Sequence, residues 1–461
     1  MSARQEDDPP LPRATIISWA TGAFGVSVLM NGISALSLFY FTVVLKVEPA
    51  LAGTLIFASR IYDAVTDPLS GWLSDRSKSK MGRRRPYLLA GALVSAVSFA
   101  AIFNVPFDGP GTQTSIYIMV MLLLYTSGYS LFNVPYMAMP AEMTKSYHER
   151  SVIHGYRVAA AALGGLAVQL MAGVLLETLG KGQQAHTVLG YIGATLILIT
   201  MLFTFFGTAG LKLEQAPKTT LGFGEQLRGF IANKPFQLVL SVKLVQLIGI
   251  SASSGGLLFF LANVIDKPLT LLPVIGLATT IGVLSATPAL LWLSRSIGKR
   301  GGYAVSATMT GLGALSWALA QPGEPAWALA LRGFVLGIAF SGNVMFAMSM
   351  LADSMEVDHH NTGMRREGMY SALYSFVEKL ASSVGPLILG GALSIAGFDP
   401  SSPPSEVTAE VRQAVLLGIA YVPAAMAVVA VGLLSFYRLD EAALTASRAR
   451  ARARAPRKET P

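Results

Sequence analysis

Long apolar runs recur along the whole chain and restrict what it can fold into. Each run has about 20 residues or more, the length that an α-helix needs to cross the hydrocarbon core of a bilayer. The alternative spanning structure, a β-barrel, would show short alternating segments in place of these runs. We therefore predict an all-α integral membrane protein. Its twelve transmembrane helices are expected at 14–45, 49–74, 86–105, 115–140, 151–177, 187–211, 235–263, 268–294, 302–320, 326–352, 369–397 and 411–437.

The composition agrees with a membrane protein. Of the 461 residues 52% are hydrophobic and 13% are charged, whereas about 25% of a soluble domain is charged. The chain has no cysteine, so neither disulfides nor thiolate metal sites are expected. The net charge of +9 is spread over short loops and a basic C-terminal tail. Because no aromatic and basic platform accompanies this charge, nucleic acid is not expected as a partner.

The basic residues also predict the orientation and the domains. Lysine and arginine follow every second apolar run, and the intervening loops, such as Asn104–Ser115, carry almost none. The positive-inside rule then places both termini in the cytoplasm and the protein in the cell membrane. The longest internal connection separates two sets of six runs. We expect a cytoplasmic N-terminus at 1–13, a six-helix bundle at 14–212, a cytoplasmic linker at 213–234, a second six-helix bundle at 235–437 and a basic cytoplasmic tail at 438–461.

Two carboxylates and an arginine interrupt the second apolar run. Asp63 and Asp67 are four residues apart, which places them on one helical face about 6 Å from each other, and Arg60 precedes them. An ionisable group at this depth costs roughly 2.5–3.5 kcal/mol on insertion scales, so it marks a functional site. Two like charges this close require a proton or a cation between them. The pair is therefore a proton carrier or a ligand set for a small hard cation, unless Arg60 or Lys379 forms structural salt bridges with it.

Further motifs extend the pattern around these acids. The string Arg60–Gly71 is followed by the basic loop Asp75–Arg85, and the pattern continues at Tyr129–Tyr136, at Arg157 and around Lys379. Together these motifs resemble the glycoside–pentoside–hexuronide:cation symporters of the major facilitator superfamily, which include the melibiose permease. The resemblance implies a major facilitator fold with two pseudo-symmetric six-helix bundles. It also implies a secondary transporter that works by alternating access, and not an enzyme.

The resemblance implies partners and site residues as well. A small-molecule substrate, a monovalent cation and the lipid bilayer would be its partners, and we expect a monomer without cofactors. The cation, Na⁺ or H⁺, would be bound by Asp63, Asp67, Thr66 and Ser130. The substrate would be bound by Ser27, Asn31, Asn133, Arg157 and Lys379. A loop cluster of Asp75, Arg76, Gly82, Arg83 and Arg84 would act as a conformational latch, in which Gly82 provides freedom in φ.

Three departures from the melibiose permease bear on the substrate. Ser27, Asn133 and Met137 stand where the permease has two sugar-binding aspartates and a tryptophan. A galactoside is therefore not expected. With Arg157 and Lys379 deep in apolar runs, the cavity would be positive and would suit an acidic sugar such as a uronate.

Two other functions are weaker alternatives. Loss of the sugar-binding acids beside methionine-rich helix faces would also allow an amphipathic lipid such as a lysophospholipid. An intramembrane aspartyl protease would carry its two acids on separate helices, whereas Asp63 and Asp67 share one. Elsewhere, His359 and His360 lack further ligands for a metal. Lys243 is expected to extend to the cytoplasmic surface.

Overall fold

A computed structural model describes residues 11–77, 79, 81–107, 109–144, 147–209, 233–362, 367–399, 407–439, 444, 445 and 447. The regular structure in these residues is helical, as predicted. The helices are α1 Arg13–Phe39, α2 Pro49–Arg76, α3 Arg85–Ile102, α4 Thr112–Met143, α5 Tyr147–Thr178, α6 Gln183–Gly207, α7 Lys234–Phe259, α8 Leu271–Ser285, α9 Thr287–Ala318, α10 Ala326–Thr362, α11 Glu367–Ile395, α12 Ala409–Leu416 and α13 Val422–Ser435. Single π-helical turns extend α1 at Tyr40–Val44 and α7 at Phe260–Val264, and a third joins α12 to α13 at Leu417–Tyr421.

The number of spans follows from these helices. Nine helical segments in the described part of the chain are long and apolar enough to cross a membrane, and the bent pair α8 and α9 makes a tenth. Gly298 kinks α9 with φ of 73°, so the segment after it can form a further span. The span predicted at 49–74 corresponds to α2, whose hydropathy is lowered by Arg60, Asp63 and Asp67.

Contacts divide the chain into two compact units, which we describe separately. The first unit comprises Met1–Lys218, Ser254–Val274 and Pro386–Val415. Its helices approach closely where one of them carries a small residue, which is the usual packing of helices in membranes. A Cβ atom on Gly91 of α3 would lie 2.5 Å from the Phe132 backbone nitrogen of α4, and one on Gly128 of α4 would lie 2.7 Å from the Ser95 nitrogen of α3. These two contacts fix the position of α4.

The second unit comprises Thr219–Ser253, Ile275–Gly385 and Leu416–Pro461. Its core is aromatic and aliphatic, and Tyr303 and Phe346 are fully buried there. A Cβ atom on Gly302 would lie 2.2 Å from the ring of Phe346, so α9 and α10 also pack through a glycine. The division into bundles at 14–212 and 235–437 stays a prediction. The linker from 213 to 232 and the tail from 448 onward lie outside the described residues.

Candidate functional site

Four oxygen-bearing side chains of α2 and α4 meet inside the first unit. Asp63 and Ser130 are completely buried, and Thr66 is 7% exposed. The Ser130 Oγ lies 2.9 Å from Asp63 Oδ1 and 2.7 Å from Asp67 Oδ1, and it lies 3.0 Å from Thr66 Oγ1. The structure thus brings together all four residues that were predicted to bind the cation. Their function stays a prediction.

The Ser130 hydroxyl has one proton but lies within hydrogen-bond distance of two carboxylates. A serine hydroxyl donates a single proton, so Ser130 can donate to one of the two carboxylates at a time. The other carboxylate then faces the hydroxyl lone pairs at hydrogen-bond distance, which is repulsive unless that carboxyl is protonated or a cation lies there. Thr66 can donate its proton to Ser130, but this adds no proton for the second acid. The arrangement is therefore suited to one added proton or one small cation.

Arg60 lies one turn before Asp63 on α2 and is also buried, at 5% exposure. Its guanidinium donates a hydrogen bond to the Tyr125 hydroxyl at 3.0 Å and lies 5.3 Å from the centroid of the Tyr125 ring. The Met30 Sδ accepts from both groups, at 3.5 Å from Arg60 and at 3.2 Å from Tyr125. Sequence reasoning missed Tyr125, because an aromatic residue in an apolar run has no signal that separates a polar contact from packing.

The predicted substrate residues of the first unit fall into two groups. The Ser27 hydroxyl of α1 donates to the Ala161 carbonyl of α5 at 2.6 Å, so its proton serves helix packing. Asn31 donates to the Ser27 carbonyl and hydroxyl oxygens, both at 2.9 Å. Asn133 of α4 donates within its own helix, to the Tyr129 hydroxyl at 2.9 Å.

The two cationic residues of the predicted substrate set lie on different units. Arg157 is half-buried on α5 in the first unit, four residues before Ala161. Lys379 is half-buried on α11 in the second unit. Their assignment to a substrate site stays a prediction.

The loop cluster is organised around an acid that the sequence did not single out. Glu142, at the end of α4, accepts hydrogen bonds from Arg83 at 2.5 Å and from Arg84 at 2.9 Å, and its side chain is 1% exposed. Asp75 lies 3.3 Å from Arg84, and its side chain is 57% exposed. Arg76 points elsewhere and stacks on the Trp72 ring at 4.2 Å. The sequence does contain a signal for Glu142, since it is the carboxylate at the end of its apolar run. Buried arginines of the nearby loop need a partner of opposite charge.

The conformation of Gly82 agrees with its predicted turn. Its φ of 101° lies in the left-handed region that favours glycine. The turn lets Arg83 and Arg84 reach back to the end of α4, since both follow it directly. The function of this cluster as a latch is not tested by the geometry and stays a prediction.

The prediction for Lys243 is wrong. Its ammonium group lies 3.2 Å from the Glu378 carboxylate and 5.4 Å from the centroid of the Tyr374 ring, and the residue is only 4% exposed. Lys243 is thus held inside the second unit by a carboxylate of α11, which removes any need to reach the surface. In the same unit Lys299 pairs with Asp353 at 2.6 Å.

Comparisons with known proteins agree with this architecture. The sequence model of the family described as MFS/sugar transport protein matches residues 18–441. The chain belongs to this family. It is thus a multi-pass membrane transporter of the cation-coupled symporter type, and not an enzyme, and the resemblance to the glycoside–pentoside–hexuronide:cation symporters is confirmed.

Individual relatives share most of the length of the chain. An Escherichia coli protein named as a candidate glycoside/cation symporter, YagG, is 27% identical over 427 residues, which cover 88% of each chain. The glucuronide carrier protein homolog of Escherichia coli is 24% identical over 440 residues, 93% of each chain. Among solved structures, a single-residue variant of the nucleoside transporter NupG matches with a TM-score of 0.62 at 16% identity, over 91% of this chain and 99% of that one. This last likeness confirms the major facilitator fold alone.

Proposed function

We propose that the protein carries a sugar, glycoside or uronate-like small solute across the cell membrane in symport with Na⁺ or H⁺. Asp63, Asp67, Thr66 and Ser130 form the cation site in this proposal. The observation that carries it is the position of the Ser130 hydroxyl, within 2.9 Å of one carboxylate oxygen and 2.7 Å of the other. The substrate class is supported by two relatives, which are named as a candidate glycoside/cation symporter and a glucuronide carrier protein homolog.

The ligand chemistry supports a cation. Na⁺ is a hard ion and prefers oxygen ligands, as do other hard cations in proteins. Two carboxylates and two hydroxyls supply such oxygens within one buried cluster. A proton would satisfy the same cluster by neutralising one carboxyl. Both ions relieve the same repulsion, so both belong to one mechanism.

Coupling would follow from this charge. Without a cation, two like charges lie close together around Ser130, which is costly in a low-dielectric surrounding. Binding of the cation offsets one of these charges. It also draws α2 towards α4, because Asp63 and Asp67 of α2 and Ser130 of α4 then bind the same ion. A conformational change that encloses the site would be favourable only in this form, in which one of the two negative charges is offset. Alternating access would therefore move the solute together with the ion.

The test uses purified full-length protein in detergent and in proteoliposomes. We expect the melting temperature to rise with NaCl relative to choline chloride at fixed ionic strength, or to respond to pH in place of Na⁺, because ligand binding stabilises the folded state by mass action. Asp63→Asn should remove this response and abolish gradient-driven uptake of a radiolabelled sugar. Glu410→Gln, an exposed acid on α12, is the matched control and should keep both. Full cation-dependent uptake by Asp63→Asn would refute the proposal.

A further inference from the structure

A small cavity in the first unit lies outside the cation site. It has a volume of about 100 Å³ and is bounded by α1, α5, α7 and α8. Three of these helices each contribute an uncharged polar side chain to its lining, namely Asn31, Gln169 and Ser254. The other described residues of the lining are aliphatic or glycine, and none of them is charged. Gln169 and Ser254 have no assigned function, and neither was singled out in the sequence.

The polar groups of this cavity have hydrogen-bonding capacity left over. Both amide protons of Asn31 are used by the Ser27 carbonyl and hydroxyl oxygens, so its amide oxygen remains as an acceptor. The Gln169 amide and the Ser254 hydroxyl take part in none of the hydrogen bonds between described residues. Asn31 and Ser254 are exposed and Gln169 is half-buried, so their polar groups need a hydrogen-bonding partner from solvent or from a molecule in the cavity. Water can fill this need in the resting state, and a solute with hydroxyl groups can replace it.

Arg157 is on α5, the helix that contributes Gln169 to the cavity, but it lies far from the cavity along that helix. Arg157 and Gln169 lie twelve residues apart on α5. At about 1.5 Å per residue, Gln169 lies about 18 Å along the helix from Arg157. Between them α5 packs against α1, since a Cβ atom on Gly164 would lie 2.5 Å from the Phe24 carbonyl oxygen. The charge of Arg157 therefore does not reach the cavity at short range.

We infer that this cavity is a subsite for the hydroxyl-bearing edge of one uncharged sugar ring, with Gln169 as its specificity-determining residue. This inference rests on the proposed function. It narrows the proposed substrate class to uncharged sugars. Amide and hydroxyl side chains both donate and accept, which matches sugar hydroxyls, and the aliphatic wall matches the C–H face of a ring. A carboxylate here would find no cation among the described residues of the lining. A lipid chain would leave the three polar groups unpaired.

The size of the cavity limits what enters it. A cavity of about 150 Å³ holds one benzene molecule in another protein. The present cavity is smaller, so it takes part of one ring and excludes a branched or second ring at this end. The remaining part of a glycoside would then extend out of the cavity.

The experiment measures binding to the full-length protein by calorimetry in detergent, with NaCl present. The probes are D-xylose, D-glucose and methyl β-D-glucoside, together with methyl β-D-glucuronide, which differs from the glucoside only at C6. We expect at least one neutral probe to bind, and the glucoside to bind about tenfold more tightly than the glucuronide. Gln169→Leu keeps the volume and removes the amide, so it should weaken binding of the neutral probe about 3- to 10-fold, the usual effect of one or two neutral hydrogen bonds.

A control and a charge variant complete the test. Thr195→Val removes a hydroxyl on α6 that bonds only within its own helix, to the Tyr191 carbonyl at 2.8 Å, and should leave binding unchanged. Gln169→Arg places a cation in the cavity and should reverse the preference towards the glucuronide. Equal affinities for wild type and Gln169→Leu, a glucuronide preference in wild type, or no binding of any neutral probe would each overturn the inference. Loss of the Na⁺ or pH response in wild type would instead refute the proposed cation symport, so the two failures are distinguishable.

Discussion

At the scale of single residues, Ser130 joins the two halves of the candidate cation site. Its hydroxyl on α4 lies 2.9 Å from one acid of α2 and 2.7 Å from the other. A hydrogen bond to a charged group contributes about 1.5–3 kcal/mol, so Ser130→Ala should lower the affinity for the coupling cation by about 10- to 100-fold. The measurement is the NaCl or pH dependence of the melting temperature.

Ser127 on the same helix provides a matched control for Ser130. Its hydroxyl lies 3.2 Å from the Tyr62 hydroxyl in an exposed contact away from the acids. Ser127→Ala should therefore keep the cation response of the wild type. If Ser130→Ala and Ser127→Ala respond equally to the cation, the geometry around Ser130 has no part in binding.

The loop cluster gives a second prediction, about stability. Glu142 is buried between Arg83 and Arg84, whereas Asp75 is largely exposed. Removal of one partner from a buried ion pair costs about 3–5 kcal/mol, whereas exposed pairs contribute about 0–1 kcal/mol. Glu142→Gln should therefore lower the melting temperature by several degrees, and Asp75→Asn should change it little. A larger loss in Asp75→Asn would mean that Asp75, and not Glu142, holds the cluster together.

The residues that sequence alone could identify share a physical property. Asp63 and Asp67 stand out because charge inside an apolar run is costly and therefore visible. Glu142 and Tyr125 were missed because their importance depends on which helix lies opposite them. Gln169 was missed for the same reason, since an uncharged polar residue in an apolar run has no unusual cost until its partners are known.

At the scale of helices, the two halves of the sequence repeat a local structure. The π-helical turn at Tyr40–Val44 is followed by Lys46 with φ of 56°, and the turn at Phe260–Val264 is followed by Asp266 with φ of 45°. The offset is 220 residues in both cases. The basic loops repeat as well, since the glycines at 82 and 298 both have positive φ. Basic residues follow both glycines, at Arg83–Arg85 and at Lys299–Arg300, whereas the first correspondence involves mainly apolar residues.

The contact between α3 and α4 positions Ser130, which gives a prediction for the helix pair. A Cβ atom at Gly128 would lie 2.7 Å from the Ser95 nitrogen, a backbone atom that cannot move away easily. Gly128→Val should therefore separate the helices and destabilise the protein by about 1–3 kcal/mol. Because Ser130 is two residues further along α4, the cation response should weaken too.

Gly432 on α13 is the control for this substitution, since none of the described atoms lies within 4 Å of a Cβ atom added there. Gly432→Val should keep both the melting temperature and the cation response. A Gly128→Val protein with wild-type stability and cation response would show that the α3–α4 contact does not position the site.

At the scale of the whole molecule, the hydropathy of the sequence predicted the helices, and charged residues explain where a helix has low hydropathy. The predicted spans and the observed helices agree except where charges or glycines interrupt an apolar run. The span α2 falls short of the hydropathy of its neighbours because it carries the candidate cation site. The boundary between spans eight and nine depends on one residue, Gly298, whose positive φ a hydropathy profile does not contain. The transporter class could be predicted because the motifs around the buried charges resemble those of the symporters, whereas substrate contacts depend on which helices lie opposite each other.

The orientation in the membrane is the last prediction. Because the chain has no cysteine, single cysteines can be introduced and labelled without background. Met81 is 44% exposed in the basic loop between α2 and α3, and Gly111 lies before α4 with none of the described atoms within 4 Å of an added Cβ. The positive-inside rule places the Met81 loop in the cytoplasm and Gly111 outside. In intact cells a membrane-impermeant maleimide should therefore label Gly111→Cys and not Met81→Cys. In inverted vesicles the pattern should reverse, and labelling of Met81→Cys in intact cells would place the termini on the outer side.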